Sequence, residues 1–370
     1  MEMAGLGRDA LRLIPCDEHG RMCLDRLAAR VTADRSAGLR PFLVVGSAGT
    51  VDIGAIDDLV ALGDFARQEA LWFHVDGAFG AVGMLSPQLR PLLAGIERAD
   101  SVAFDFHKWA QVPYDAGCIM VRDQARQVET FSNQAAYLRR EQRGLAGGGV
   151  WPCDLGPDLS RGFRALKVWM TLLVYGADRI GAVAEHTCRL AALLAELVDQ
   201  APDLERLAPV ALNIVCFRFV APVADLDTLN AELIADLQIE GIAAPSTTRI
   251  DGVLAIRAAI VNHRTTASDM RLFVRAVVRV GVARLAGLIR PSEVARMAGA
   301  HGVVEAVRLA ESLSLVRTAQ LADPASLAEA AQLAEPANLS GVAHAPEPMS
   351  ARGIGLAHAG KAHVALADHR

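Results

Sequence analysis

Cysteines are few and badly spaced for chemistry of their own. The six, Cys16, Cys23, Cys118, Cys153, Cys188 and Cys216, are scattered without a CxxC pair. That spacing indicates neither a zinc site nor a disulfide framework, and free thiols in a reducing cytoplasm are the plainer reading. A long basic run is also missing, and the formal net charge is -5, so nucleic acid is a poor partner. No uncharged apolar stretch is long enough to span a bilayer. The opening residues, Met1 to Gly7, lack the basic segment and apolar core of a signal peptide. Aromatic residues are scarce at 5%, which argues weakly against an aromatic pocket. What the chain does have is apolar bulk: 52% hydrophobic residues over 370, with a mean hydropathy of +0.27. Much of that comes from alanine-rich helices. It provides for a large core and for two or more domains.

The first part alternates short apolar runs with helical spacing. Phe42 to Val45 reads as a strand that stops at Gly46, followed by a Gly/Ser/Thr turn region to Gly54. Leu59, Leu62 and Phe65 recur at helical spacing, with Asp57 and Asp58 near the helix start, where the dipole favours them. Further strands are predicted over Leu71 to Val75, Ser101 to Phe104 and Gly117 to Val121. This alternation predicts an α/β domain with a mostly parallel sheet, and ligands gather at the carboxyl ends of such strands. Asp76, Asp105, His107 and Lys108 all fall at or just past those ends. Arg126 to Val150 is polar and then glycine-rich, and reads as a mobile segment. Gly147 to Gly149 is not a phosphate cradle, because no strand-to-helix context or following lysine accompanies it. Helices are predicted over Leu159 to Tyr175 and Ile180 to Val198. Strands over Ala211 to Phe219 and Val253 to Val261, with helices over Asp227 to Leu237 and Ala267 to Leu285, make a smaller α+β domain. The expected boundaries are 1–175, 176–289 and an Ala-rich, weakly ordered tail over 290–370, with some of Ser292 to Leu333 compatible with helix.

Two residues carry chemistry in this pattern. A lysine amine attacks an aldehyde only when neutral, so Lys108, in Asp105-Phe106-His107-Lys108-Trp109, suits Schiff-base formation if its pocket is partly desolvated. The plain alternative is a solvated lysine after a strand. Asp76, in His74-Val75-Asp76-Gly77-Ala78-Phe79-Gly80, is a carboxylate at a strand end followed by small residues that leave room for a flat ring. Beside a pyridine nitrogen it would keep that nitrogen protonated. The plain alternative is a turn or helix-capping aspartate. His74 shares the strand face of Asp76 and is expected to support it. His186 and the histidines from His344 onward are expected to be solvated.

Together these two segments resemble the group II amino-acid decarboxylases of the fold-type I pyridoxal-phosphate superfamily, which include the aromatic-amino-acid, histidine and glutamate decarboxylases. The resemblance runs from about Gly5 to about Gly287. It implies a large domain with a mostly parallel sheet, a smaller α+β C-terminal domain, and pyridoxal 5'-phosphate as cofactor. It also implies a cytoplasmic homodimeric lyase that decarboxylates an L-amino acid to an amine and carbon dioxide. By the resemblance, Lys108 is the Schiff-base lysine and Asp76 pairs with the pyridine nitrogen. Ala78 packs against the ring, Thr50 approaches the cofactor, and His107 lies near its phosphate. Tyr137 matches a tyrosine that enters the neighbouring subunit's site and protonates Cα, a step suited to a phenol. Leu159 to Trp169 resembles the helix linking the two domains, and Asn262-His263-Arg264-Thr265-Thr266 the small-domain signature.

The resemblance begins late. The family's segment before the point matching Gly5 carries a dimerisation arm, a Gly/Ser-rich phosphate loop and an aromatic residue that stacks on the ring. None has a counterpart here, so an N-terminally truncated chain is expected. Each lost charge-assisted hydrogen bond to phosphate is worth roughly 1.5–3 kcal/mol. Two rival readings follow: an inactive remnant that only binds or dimerises, and another reaction on the same scaffold, such as transamination or aldehyde synthesis.

Overall fold

The computed structural model describes residues 1–132, 141–144 and 147–287, all within one unit spanning Met1–Glu311. The first sheet has four strands, β1 (Leu43–Ser47), β2 (Trp72–Asp76), β3 (Ser101–Asp105) and β4 (Gly117–Val121), in that spatial order. The first three run parallel and β4 pairs antiparallel to β3. Each strand predicted for this sheet is present, β4 over its predicted span and the other three within a residue or two at their ends, as pattern-based boundaries are.

Side chains alternate across the pleat, and the two faces have different fates. Val44, Phe73, Val75 and Val102 point one way and are buried with Leu27 and Val31 of α1 (Leu24–Ser36) and with Leu59, Leu62 and Ala66 of α2 (Leu59–Gln68). The register sets Val45 beside His74, Ser47 beside Asp76, and Ala103 between Asp76 and Ile119, so these share the opposite face. There Val45 is 38% and Ile119 51% exposed. The two aspartates before α2 divide their work. Asp58 caps the helix by accepting Ala61 N–H at 3.0 Å. Asp57 turns inward instead and accepts the N–H groups of Ser47 (2.7 Å) and Met22 (2.6 Å).

A helix, α3 (Gln124–Phe131), occupies the start of the stretch read as mobile. Asp123 starts it, accepting the N–H groups of Ala125 and Arg126, a capping signal that outweighs the polar composition. Next come α4 (Arg164–Tyr175) and α5 (Ala177–Gln200), separated by Gly176 at φ 77.

The second sheet, β5 (Leu204–Arg206), β6 (Ile214–Phe219), β7 (Ser246–Ile250) and β8 (Val253–Ala259), is antiparallel throughout, in the order β5-β6-β8-β7. One face packs under α5, α6 (Leu226–Ile239) and α7 (Ala267–Leu285), burying Val215, Phe217 and Phe219 with Leu194, Leu233, Leu237 and Val277. Thr266 and Asp269 form a reciprocal capping box that starts α7. The long helix α5 serves both halves. Ile180 and Ala184 pack with Val82, Leu89, Trp109 and Leu212, while Leu190, Leu194 and Val198 enter the second sheet's core. Among the described residues no helix is long and apolar enough to cross a membrane. The tail expected over 290–370 lies outside the described residues.

Candidate active site

β1, β2 and β3 end together, and their exit loops carry the residues singled out above. The loops leaving β1 and β2 touch: Gly80 N–H donates to Ala48 O at 3.0 Å. Gly49 there has φ 94, and a Cβ on it would lie 3.0 Å from Gly80 Cα. A side chain at Gly49 would therefore be strained and crowded at once. Thr50 follows, its Oγ1 accepting Ala55 N–H at 3.0 Å, which leaves the hydroxyl proton to donate.

Asp76 is the last residue of β2 and is exposed, with Oδ1 accepting Ala78 N–H at 3.1 Å. The turn after β3 carries His107 and Lys108. Lys108 Nζ pairs with Asp105 Oδ2 at 2.8 Å and its side chain is 39% exposed. Trp109 is wholly buried, donates Nε1–H to Thr187 Oγ1 of α5 at 3.0 Å, and stacks on Phe79 with ring centroids 5.2 Å apart and planes within 4°. Phe79 lies three residues past Asp76, and Trp109 adjoins Lys108. The stack therefore fixes the β2 and β3 exit loops side by side, with the carboxylate and the amine at the ends of neighbouring parallel strands.

His107 is held in one tautomer. Its Nδ1 accepts Ala116 N–H at 3.0 Å, which assigns the proton of the neutral ring to Nε2. That Nε2 lies 3.9 Å from Asp105 Oδ2, and the ring leans on Tyr114 at 4.2 Å. His74 Nδ1 meets Ser101 Oγ at 2.8 Å, and the same oxygen accepts Trp72 Nε1–H at 2.8 Å. Burial pushes the His74 imidazole below its ordinary value of 6.5, against the opposing pull of the Asp76 charge. His74 thus meets Asp76 through charge. His186 is not solvated as expected: it is half-buried, with Nε2 3.0 Å from Thr265 O, because α5 leans on the segment before α7. Tyr137 lies outside the described residues, as do the histidines from His344 onward.

The sequence reading placed Asp105 at a strand end without giving it a role, and gave none to Phe79 or Gln111. It also passed over a signal in plain view. The chain has three lysines, Lys108, Lys167 and Lys361, among 37 Lys and Arg residues. A lysine at a strand end in so arginine-rich a chain stands out. A groove of about 590 Å³ lined by Asp64, Arg67, Arg98, Asp100 and Arg122 sits at the opposite, amino-terminal ends of the strands. Its cations are already engaged, Arg98 by Asp64 and Arg122 by Ala99 O.

The mostly parallel sheet defines an α/β protein, and the amine and the carboxylate stand at the carboxyl ends of adjacent strands, where ligands of such folds gather. The pyridoxal-dependent decarboxylase conserved domain matches residues 2–220, and the chain belongs to that family, with its fold-type I architecture. It is 34% identical over 274 residues to an aromatic-L-amino-acid decarboxylase of Bacillus atrophaeus, covering 73% of this chain and 57% of the relative. It is 32% identical over 267 residues to a phenylacetaldehyde synthase of Arabidopsis thaliana, covering 70% and 54%. Oryza sativa TDC, solved with PLP and tryptamine, superimposes with a TM-score of 0.71 at 27% identity, over 76% of this chain and 59% of that one. The chain thus spans little more than half the length of these relatives.

The donor set suits pyridoxal phosphate. Lys108 offers an amine for the aldehyde, Asp76 a carboxylate for the ring nitrogen, and His107 an Nε2–H for an anion. Ala78, half-buried beside Asp76, adds no bulk where a flat ring would lie.

Proposed function

We propose that this chain is a pyridoxal-phosphate-dependent carboxy-lyase that converts an L-amino acid to its amine and carbon dioxide. The observation that carries the reading is the pairing of the Asp76 and Lys108 loops through the Phe79–Trp109 stack. When bound, the cofactor supplies an electron-withdrawing ring that takes up the electron pair left by the departing carboxylate. The chain's own residues do the rest. Lys108 Nζ is the amine that would hold the cofactor's aldehyde and give it up to the substrate amine. The Asp76 carboxylate keeps the proton on the ring nitrogen. By the resemblance, Ala78 would pack on the ring, the Thr50 hydroxyl would approach the cofactor, and His107 Nε2–H would lie near the phosphate. Tyr137, by the resemblance alone, delivers the proton to Cα.

The test is spectroscopic and chemical. Purified chain mixed with pyridoxal phosphate should gain absorbance near ~420 nm, the region of such adducts. Borohydride reduction should fix the label on Lys108, and Lys108→Ala should abolish both signals. A label on Lys167 or Lys361 instead, or absorbance that survives Lys108→Ala, overturns the assignment.

Aldehyde synthesis is the second reading, favoured by the similarity to the phenylacetaldehyde synthase. Product analysis over a panel of amino acids separates amine from aldehyde. A homodimer is part of the proposal. Phe163, Trp169, Met170, Leu173, Val174 and Tyr175 on and beside α4 are each more than half exposed, a contiguous apolar surface that supports a second copy as partner. Sedimentation at two concentrations tests it. The six cysteines are all free thiols, which supports a reducing, cytoplasmic setting.

A further inference from the structure

Gln111 has a left-handed backbone, φ 63. A non-glycine residue there is uncommon, and surrounding contacts must hold it. Its side chain supplies them. Nε2 donates to Val261 O at 2.8 Å, and Oε1 faces His263 Nδ1 at 3.3 Å. Its own N–H donates to Lys108 O at 3.3 Å, so the same residue closes the turn that presents Lys108. Val261 and His263 belong to the segment joining β8 to α7, and His263 lies in the Asn262–Thr266 motif for which the proposed chemistry has no use. The loop holding Thr50 is fastened to the second sheet in the same way. Arg257 Nε donates to Val51 O at 2.7 Å, Thr248 Oγ1 to Asp52 Oδ1 at 2.5 Å, and Cys216 Sγ to Asp52 O at 3.2 Å.

We infer that Gln111 is a positioning residue: it latches the Lys108 turn to the Val261–His263 segment that follows the second sheet and so sets how the amine is presented. The inference rests on the reading of Lys108 as the cofactor-holding lysine. Asp105 alone does not fix that presentation, because it holds the ammonium while leaving the turn's far end to Gln111. The latch places a residue of the second half in control of a group on the first.

Gln111→Gly separates a latch from a local backbone feature. Glycine accepts φ 63 without strain, which offsets part of the stability lost with the side-chain contacts and the added chain entropy. The variant deletes the two contacts to the second half and a local one, Nε2–H to Trp109 O at 3.4 Å. With pyridoxal phosphate and cyanoborohydride, peptide mass spectrometry reads the labelling rate at Lys108 against that at Lys361 in the same sample. The expected result is a Lys108:Lys361 ratio lowered roughly five-fold in Gln111→Gly. His263→Ala, which removes an exposed partner and leaves the turn's backbone alone, should lower the ratio by less. It decides the matter should Gln111→Gly melt lower. An unchanged ratio in both variants overturns the latch while leaving the lysine assignment intact. Wild-type labelling no faster at Lys108 than at Lys361 overturns the lysine assignment, and the latch with it.

Discussion

Strand β6 of the second sheet is buried on both sides: Val215 and Phe217 under the helices, Ile214 and Cys216 against Ala208 and Ala255 on the other face. The strands of the first sheet bury their apolar side chains on one side, with Ser101 a buried polar residue on the other. Their other side carries His74, Asp76 and the exposed Val45 and Ile119. The second half therefore has the larger share of packing, and the first half has the reactive groups. Residues that must meet a ligand cannot also be sealed into a core, so this chain puts its chemistry on the sheet face with less to lose.

The sharpest way to break that contrast is to delete bulk on each side of it. Phe217→Ala, at a wholly buried position touching Phe273 edge-on, should cost about 3–5 kcal/mol. Ile119→Ala, on the open face, should cost less than about 0.5 kcal/mol. Denaturant melts that moved equally for the two would erase the distinction. Next in size is the support under the first sheet's buried face. Asp58→Ala removes the α2 cap and should cost about 1 kcal/mol, read as a lower midpoint with unchanged slope.

The smallest effect sharpens the comparison by pH. His74 is held below 6.5 in the folded chain by burial, so as pH falls through 6.5 the unfolded chain takes up a proton that the native one resists. Stability present near neutrality is then lost as pH falls toward the depressed native value. His74→Gln should show a shallower fall in melting temperature between about pH 7 and about pH 5. A fall as steep as wild type would mean that His74 does not contribute.

Much of this was legible beforehand because it obeys local rules. β4 and α7 match their predicted spans to the residue, and Asp76 ends its strand and Lys108 follows the end of the next, as expected. What escaped has a physical cause in each case. α1 lacks a side-chain cap at Cys23 and is rich in charge, so Asp25 in its first turn is a weak start signal on its own. β7, Ser246–Ile250, is a polar edge strand that bonds to β8 alone, and its sequence reads as a loop. The Phe79–Trp109 stack and the Gln111–Val261 bond join segments far apart in the chain, the latter by 150 residues. No window of local sequence carries such pairings.

Helix α5 has one more consequence, for the order of assembly during synthesis. The cluster beneath Trp109 draws Ile180 and Ala184 from this helix and Leu212 from just before β6. A nascent chain that has already emerged through Val121 holds every strand of the first sheet and still cannot close that cluster. Until the ribosome has released some ninety residues more (on the order of several seconds at typical elongation rates), Trp109 and the turn beside it wait without their roof.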